Sequence, residues 1–457
     1  MTSDWTTALR RFCCIAVVTA IALAPGGMLS WAGNHFFFNQ NQVGGISVNA
    51  LGVVANAQLD AKLQRLDVMK KTMAKVEPEL AQPAELRMIS LKKLEAALDD
   101  AIKNHAGALP DEIVYLAGIQ RIKYVFVYPE QNDIVLAGPG EGWRLDENAN
   151  VVGVTTGRPV IHIDDLMVAL RSVKASAQTG ITCSIDPTDE GRQRFAQYMA
   201  KQKIFNPQVL DGAAEAMGTQ KITVTGVPGS SHLARVLVAA DYRMKRIGMK
   251  LDPSPIAELS SYVEILAKSH ENPKSVMPRW WLACSYEKLS RSEDGLAWEL
   301  NGPGVKCLTE EDVFSPDAGA KGSGRKSPSA QKWADDMTKH YDKLSAKDSV
   351  FGELRNVMDL CVVAAIIEKH GMLSKANLQL PLLAGANSPV HMYNWNVPKS
   401  VATQCSFLHR GKDYLITASG GVDIDGFAVA DNNETSDSVK TTYTKAAPAG
   451  EGKRWWW

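Results

Sequence analysis

Little in this chain announces a chemistry. It holds seven cysteines in 457 residues, far below the density of a disulfide scaffold. There is no G-x-S-x-G nucleophile elbow, no H-E-x-x-H pair, no C-x-x-C and no dinucleotide fingerprint. The glycine-rich run Gly138-Pro139-Gly140-Glu141-Gly142 reads as a turn between strands and opens no helix. Neither sign of charge prevails, with 50 basic and 50 acidic side chains, so no general pull towards nucleic acid or an anionic membrane is expected. A hydrophobic share of 45% excludes a disordered or fibrous chain. Beyond residue 32 no apolar run has spanning length; the best, Val362 to Ile367, is closed in by Asp359 and Glu368.

What is present begins at the N-terminus. Arg10-Arg11 precede an apolar run from Phe12 to Ala24, which has the length of a signal h-region and is too short to cross a bilayer. Pro25-Gly26-Gly27 break the run, and Ser30 and Ala32 put small residues at the −3 and −1 positions. Residues 1–32 therefore read as a signal peptide cut after Ala32, and the protein as exported, periplasmic or extracellular. Left uncut, the segment would act as an anchor. Asp4, Arg10 and Arg11 are the charged residues it removes, leaving a balance of one negative charge. The odd cysteine count beyond it (Cys183, Cys284, Cys307, Cys361 and Cys405) leaves at least one thiol free. Cys284 and Cys307 are the preferred disulfide, since both fall in a short strand-rich stretch, and Cys361 reads as a buried core residue.

The periodicities predict an α+β fold, with mixed sheets packed by helices and a strand-rich C-terminal part. Residues 33–84 should hold a hairpin and an amphipathic helix over 59–76. Residues 85–250 alternate strand and helix: Ser90 caps a helix, Ile122–Val127 and Ile134–Ala137 flank a turn, and Val160–Ile163 is a strand ended by Asp164 as a helix cap. Asp186-Pro187 opens a further helix, and Ile222–Thr225 leads into another over 231–247. Residues 251–430 should contain strands over 279–308, a flexible loop at 317–329 and helices near 330–344 and 350–370. Residues 431–457 read as a disordered tail with an exposed Trp455-Trp456-Trp457 end. Gly44–Asn49, Trp143–Asp146 and Gly420–Asp425 each start a strand–turn–strand pattern, read as separate hairpins or as two ends paired in one sheet.

The best local site is Thr225-Gly226-Val227-Pro228-Gly229-Ser230-Ser231-His232. A strand, a turn and a helix start here present backbone N–H groups to an anion. A P-loop lysine is lacking, which argues against nucleotides. Gly229, Ser230, Ser231, His232 and Arg235 are the candidate ligand-binding residues, with His232 the candidate acid or base. His232 and Arg235, three residues apart, could together meet an anion or carboxylate, whereas Asp241 lies across the helix from His232. The plainer reading is a helix capped by Ser230 or Ser231 with both side chains solvated. His162, Asp164 and Asp165 have metal-ligand chemistry but no third spaced ligand, so a capping aspartate is expected, with no metal and no cofactor. Trp280-Trp281 could stack on a sugar, although in a strand one ring must point into the core.

Several segments bear a likeness to a known family. They are Ala117–Phe126, Pro129–Ile134, Gly153–Pro159, Ser231–Arg235, Ala240–Lys245 and Ser419–Val422. Together they resemble an uncharacterised bacterial secreted family, domain of unknown function 1598, over about residues 85–430. The resemblance implies export and one long unit, and no reaction. The expected function is non-catalytic binding of a ligand or partner in the cell envelope or outside it. The alternatives are a hydrolase or transferase acting on an anionic envelope component, and a structural envelope protein.

Overall fold

Serine, threonine and histidine residues at helix starts punctuate the chain and set where each strand gives way to a helix. The computed structural model describes residues 42–57, 66–67, 70–71, 73–202, 207–271, 277–315, 319–322, 327–410, 412–448, 452 and 454–457. The signal segment 1–32 and most of the helix expected over 59–76 lie outside the described residues.

Six strands carry the framework: β1 (Ala84–Ser90), β2 (Ile181–Pro187), β3 (Thr219–Thr225), β4 (Pro278–Ser285), β5 (Gly304–Ser315) and β6 (Ser419–Ile424). Five of them belong to a mixed ten-stranded sheet. Its order runs from the hairpin strands Gln42–Val43, Ile46–Val48 and Val53–Asn56 through Ser400–Ala402 to β3, β2, β6, β4, β5 and Gly319–Gly322. Most neighbours are antiparallel, whereas β4 and β6 run parallel, as do Ser400–Ala402 and Val53–Asn56. A second, six-stranded sheet ends at β1, beside Asp133–Gly140 and Tyr124–Tyr128, and is completed by Ala297–Glu299, Leu289–Arg291 and Asn433–Thr435. Both sheets interleave strands from before and after residue 250, so the boundary expected there separates no sheet.

The main helices are α1 (Leu91–Asn104), α2 (Ile163–Thr179), α3 (His232–Gly248), α4 (Ser349–Lys369) and α5 (Ser438–Lys445). As expected, Ser90 caps α1: its hydroxyl accepts from the Lys93 amide at 3.0 Å and donates to Asp133. Leu91, Leu94, Leu98 and Ala101 then bury one stripe, each leucine contributing about 1.5–3 kcal/mol. Helix α4 is buried nearly all round from Val350 to Ile367 and packs against both α2 and α3. That three-helix contact positions the site described below. At Gly420, in β6, the backbone has φ +119°, and a Cβ there would lie 1.8 Å from the Trp280 carbonyl oxygen. Only glycine lets β6 approach β4 so closely.

Several expectations need correcting. Val160–Ile163 forms no strand, and the cap of α2 is His162, not Asp164. Residues 319–322, within the expected flexible loop, form a strand paired with β5. The first and last strand–turn–strand copies share the large sheet, but three strands stand between them, and Ala428–Ala430 lies in a short helix, not a returning strand. The Trp143–Leu145 and Val151–Gly153 arms do form a hairpin. Cys284 and Cys307 are both free thiols: the register sets Cys284 opposite Val305 and Cys307 opposite Leu282, so neither faces the other. Nor is the C-terminal stretch a loose tail. It contains α5, and Trp455–Trp457 line the edge of β1 with main-chain bonds from Met88 N to Trp457 O and Ser90 N to Trp455 O. Trp455 and Trp456 are buried, which covers an otherwise open sheet edge with apolar rings.

Candidate functional site

Two helix starts and the flank of a third helix meet at one cleft. His162 caps α2, and its Nδ1 accepts from the Asp164 amide at 3.2 Å; Asp165 follows in the first turn. His232 opens α3 directly after its cap Ser231, whose hydroxyl accepts from the Ala234 amide at 3.1 Å. Glu353 and Asn356 come from the second and third turns of α4. All but Ser231 and Asp164 line a cavity of about 70 Å³, together with Tyr115, Asn150, Tyr393 and Trp395.

The two histidines form the centre. Their rings stack with centroids 5.6 Å apart. Both carboxylate oxygens of Asp165 reach His232 Nδ1, at 3.0 and 2.9 Å. Tyr115 and Tyr393 pack edge-on against His162 at 5.9 and 6.1 Å, and Trp395 lies 5.6 Å from His232. The loop bearing Tyr393 and Trp395 is pinned by its backbone: Tyr393 N donates to Asp164 Oδ2 at 3.3 Å, and Trp395 N to the Ser230 carbonyl at 2.8 Å.

Environment drives the two imidazoles apart. Burial would discharge His232, but the Asp165 charge and hydrogen bond outweigh it and raise its pKa to about 9. Burial prevails at His162 and lowers its pKa, despite the nearby Asp164 and Asp165. With Nδ1 accepting from a backbone N–H, the neutral His162 ring carries its proton on Nε2. Near neutral pH the cleft thus holds one imidazolium beside one neutral imidazole. Burial raises the pKa of Asp164, and Tyr393 is pushed up to about 12 by burial and by Asp164.

Of the residues singled out in the sequence, His232 lines the cleft together with His162 and Asp165, which the sequence offered only as metal-ligand types, and the carboxylate His232 meets is Asp165. Gly229, Ser230 and Ser231 form the turn behind it. The Ser231 hydroxyl and the Ser230 carbonyl are both engaged, by Ala234 and Trp395. Arg235 is neither solvated nor an anion clamp. It is fully buried, donates to the Asn396 carbonyl from Nε and Nη2, and lies 5.1 Å over the Trp395 ring. Burial lowers its pKa to about 10. Trp280 is buried against Trp333 and Tyr262, while Trp281 faces outward under Arg279. Among the described residues no group of three His, Cys, Asp or Glu side chains could hold a metal ion, and no helix is long and apolar enough to cross a membrane.

A further ring of polar contacts shapes the cleft wall. Glu141 accepts from the amides of Thr155 and Thr156, the Thr156 hydroxyl and Gln120 Nε2. Burial opposes its charge, yet these donors hold its pKa down to about 2. They fix the turn between Val151–Gly153 and His162.

Residues 183–262 match a family model described as Protein of unknown function (DUF1598). The matched stretch runs from β2 through α3 and so contains His232 and Arg235, but none of the cleft residues on α2, α4 or the 393–395 loop. No curated protein and no solved structure matches the chain.

Proposed function

We propose that the protein is exported and binds a small polar ligand in the cleft beneath the His232–Asp165 pair. The export half of this reading rests on the Arg10-Arg11 pair, the apolar run to Ala24 and the small residues before the Ala32 cut. The binding half rests on one observation: His162, His232, Asp165, Glu353 and Asn356 converge on one cleft walled by Tyr393 and Trp395, with Asp165 on His232 Nδ1 and the Asp164 amide on His162 Nδ1. Among the described residues no serine, threonine or cysteine lines the cleft to act as a nucleophile. Aromatic walls with a few convergent polar groups are the usual make-up of a ligand site.

A second reading, a hydrolase or transferase, is favoured by the geometry of the same pair. A carboxylate on Nδ1 orients the ring and leaves Nε2 as the donor for acid catalysis. Action on an anionic component loses support, because Arg235 is turned away into the protein.

A thermal-shift screen of the purified protein tests the binding reading, run beside His232→Gln with sugars, amines, anions, nucleotides and metal ions. A ligand that binds the native state raises its melting temperature by mass action. The expected result is a rise with one ligand class that shrinks in His232→Gln. A flat screen, or a rise unchanged in the variant, refutes the reading.

A further inference from the structure

The character of the ligand can be read from the balance of charge and of hydrogen-bonding groups around the cleft. The N-termini of α2 and α3 bring about half a positive charge each, and His232 adds one. Asp165 and Glu353, which line the cleft, oppose them and leave it close to electrical balance. An anion would meet Glu353 and the Asp165 carboxylate, and among the described residues the one cation lining the cleft, His232, is already held by Asp165. A cation would meet the His232 imidazolium and the His162 Nε2–H.

Donors and acceptors are mixed in the same way. His162 and His232 present N–H groups, whereas Asp165 and Glu353 present oxygens. In the walls, Asn356 Oδ1 is a buried acceptor and Trp395 Nε1 a buried donor, neither with a partner among the described residues. The Asn356 amide is oriented by its Nδ2, which donates to the Pro159 carbonyl at 3.1 Å. An ammonium group supplies donors only, and a phosphate or carboxylate supplies acceptors only. A hydroxyl supplies both. The rings of Tyr393 and Trp395 add apolar faces suited to C–H surfaces. At about 70 Å³ the cavity is far smaller than a drug-sized site, so it suits one edge of a ring and not a whole oligosaccharide.

We propose that the cleft recognises the hydroxyl-bearing edge of a neutral sugar or polyol, a proposal that rests on the binding reading above. The test is a titration of the full chain with glucose, N-acetylglucosamine, glycerol, tetramethylammonium and inorganic phosphate. It is followed by the imidazole Cε1–H NMR signals of His162 and His232, and melting curves confirm that each variant is folded. The expected result is that glucose or N-acetylglucosamine moves both signals, and that Glu353→Gln and His232→Gln each weaken binding about tenfold. If tetramethylammonium or phosphate moves the signals and the sugars do not, the ligand class is wrong while the cleft remains the binding site. Sugar binding of unchanged affinity in both variants refutes the proposal by placing the sugar elsewhere. If no probe moves the signals and the broader thermal screen is flat as well, the binding reading falls together with it.

Discussion

Replacing Asp165 by asparagine should remove the charge that holds His232 protonated, and the effect can be sized. A rise from 6.5 to about 9 corresponds to about 3 kcal/mol between the two protonation states. Because the folded pKa is the higher one, this stabilisation is complete below the unfolded pKa and is lost as pH rises through the folded value. Between about pH 6.5 and 9 each unit should remove about 1.4 kcal/mol. The pair is largely shielded, with side-chain exposures of 16% for His232 and 8% for Asp165, so solvent screening is modest. Urea unfolding followed by tryptophan fluorescence from pH 5 to 10 measures the effect. Wild type should lose about 3 kcal/mol across the window, and Asp165→Asn should start about that much lower and stay nearly flat. NMR titration of the His232 Cε1–H should place its midpoint near 9 in wild type and well below that in the variant, where the Asp165 charge no longer opposes burial. Parallel stability curves, or a wild-type midpoint at or below 6.5, would refute the ion-pair argument.

Other consequences can be checked with simpler tools. Arg235→Lys keeps the charge but loses the two-nitrogen contact with the Asn396 carbonyl. It should cost about 2 kcal/mol in denaturant unfolding and red-shift the tryptophan emission as the Trp395 loop loosens. Gly420→Ala places a methyl against the Trp280 carbonyl and should cost more than about 3 kcal/mol; a loss below 1 kcal/mol would contradict the close approach of β6 and β4. Removing Trp455–Trp457 bares the edge of β1 and takes away two buried rings. A lower melting temperature and rising light scatter are expected, and an unchanged melt would mean that the contact carries no stability. Alkylation without reductant should label all five of Cys183, Cys284, Cys307, Cys361 and Cys405 in denaturant. In the native protein Cys183, Cys307 and Cys361 should stay unlabelled, because burial raises their thiol pKa values and blocks access.

Much of the fold was legible because its signals are local. Ser90 stands three residues before the amide it caps, and the leucine stripe of α1 repeats at helical spacing, so both can be read from one short window. The same holds for the paired strands around Asn132, where a left-handed residue makes the turn. Misreadings arose where a distant partner decides the outcome. Trp455–Trp457 have no periodicity of their own and become ordered by the edge of β1, more than 360 residues earlier. Cys284 and Cys307 share a hairpin-like stretch in sequence, but a two-residue offset in register keeps them apart.

The site divides along the same line. His232 could be found because it follows a serine cap after a glycine turn, and such a position is chemically conspicuous. Its partner could not be found, because Asp165 lies 67 residues away and a first-turn aspartate is explained well enough by the helix dipole alone. What joins them is α4, which is buried nearly all round and packs against both α2 and α3. A usable signal did exist: two histidines, each at the mouth of a helix, one beside paired aspartates, and a polar-aromatic run Tyr393-Asn394-Trp395-Asn396 that belongs to no helix or strand. Residues of that kind gain nothing by burial in a plain core, since their polar atoms must be matched. Their enclosure at one cleft is why a ligand offering both donors and acceptors fits this fold better than a charged one of either sign.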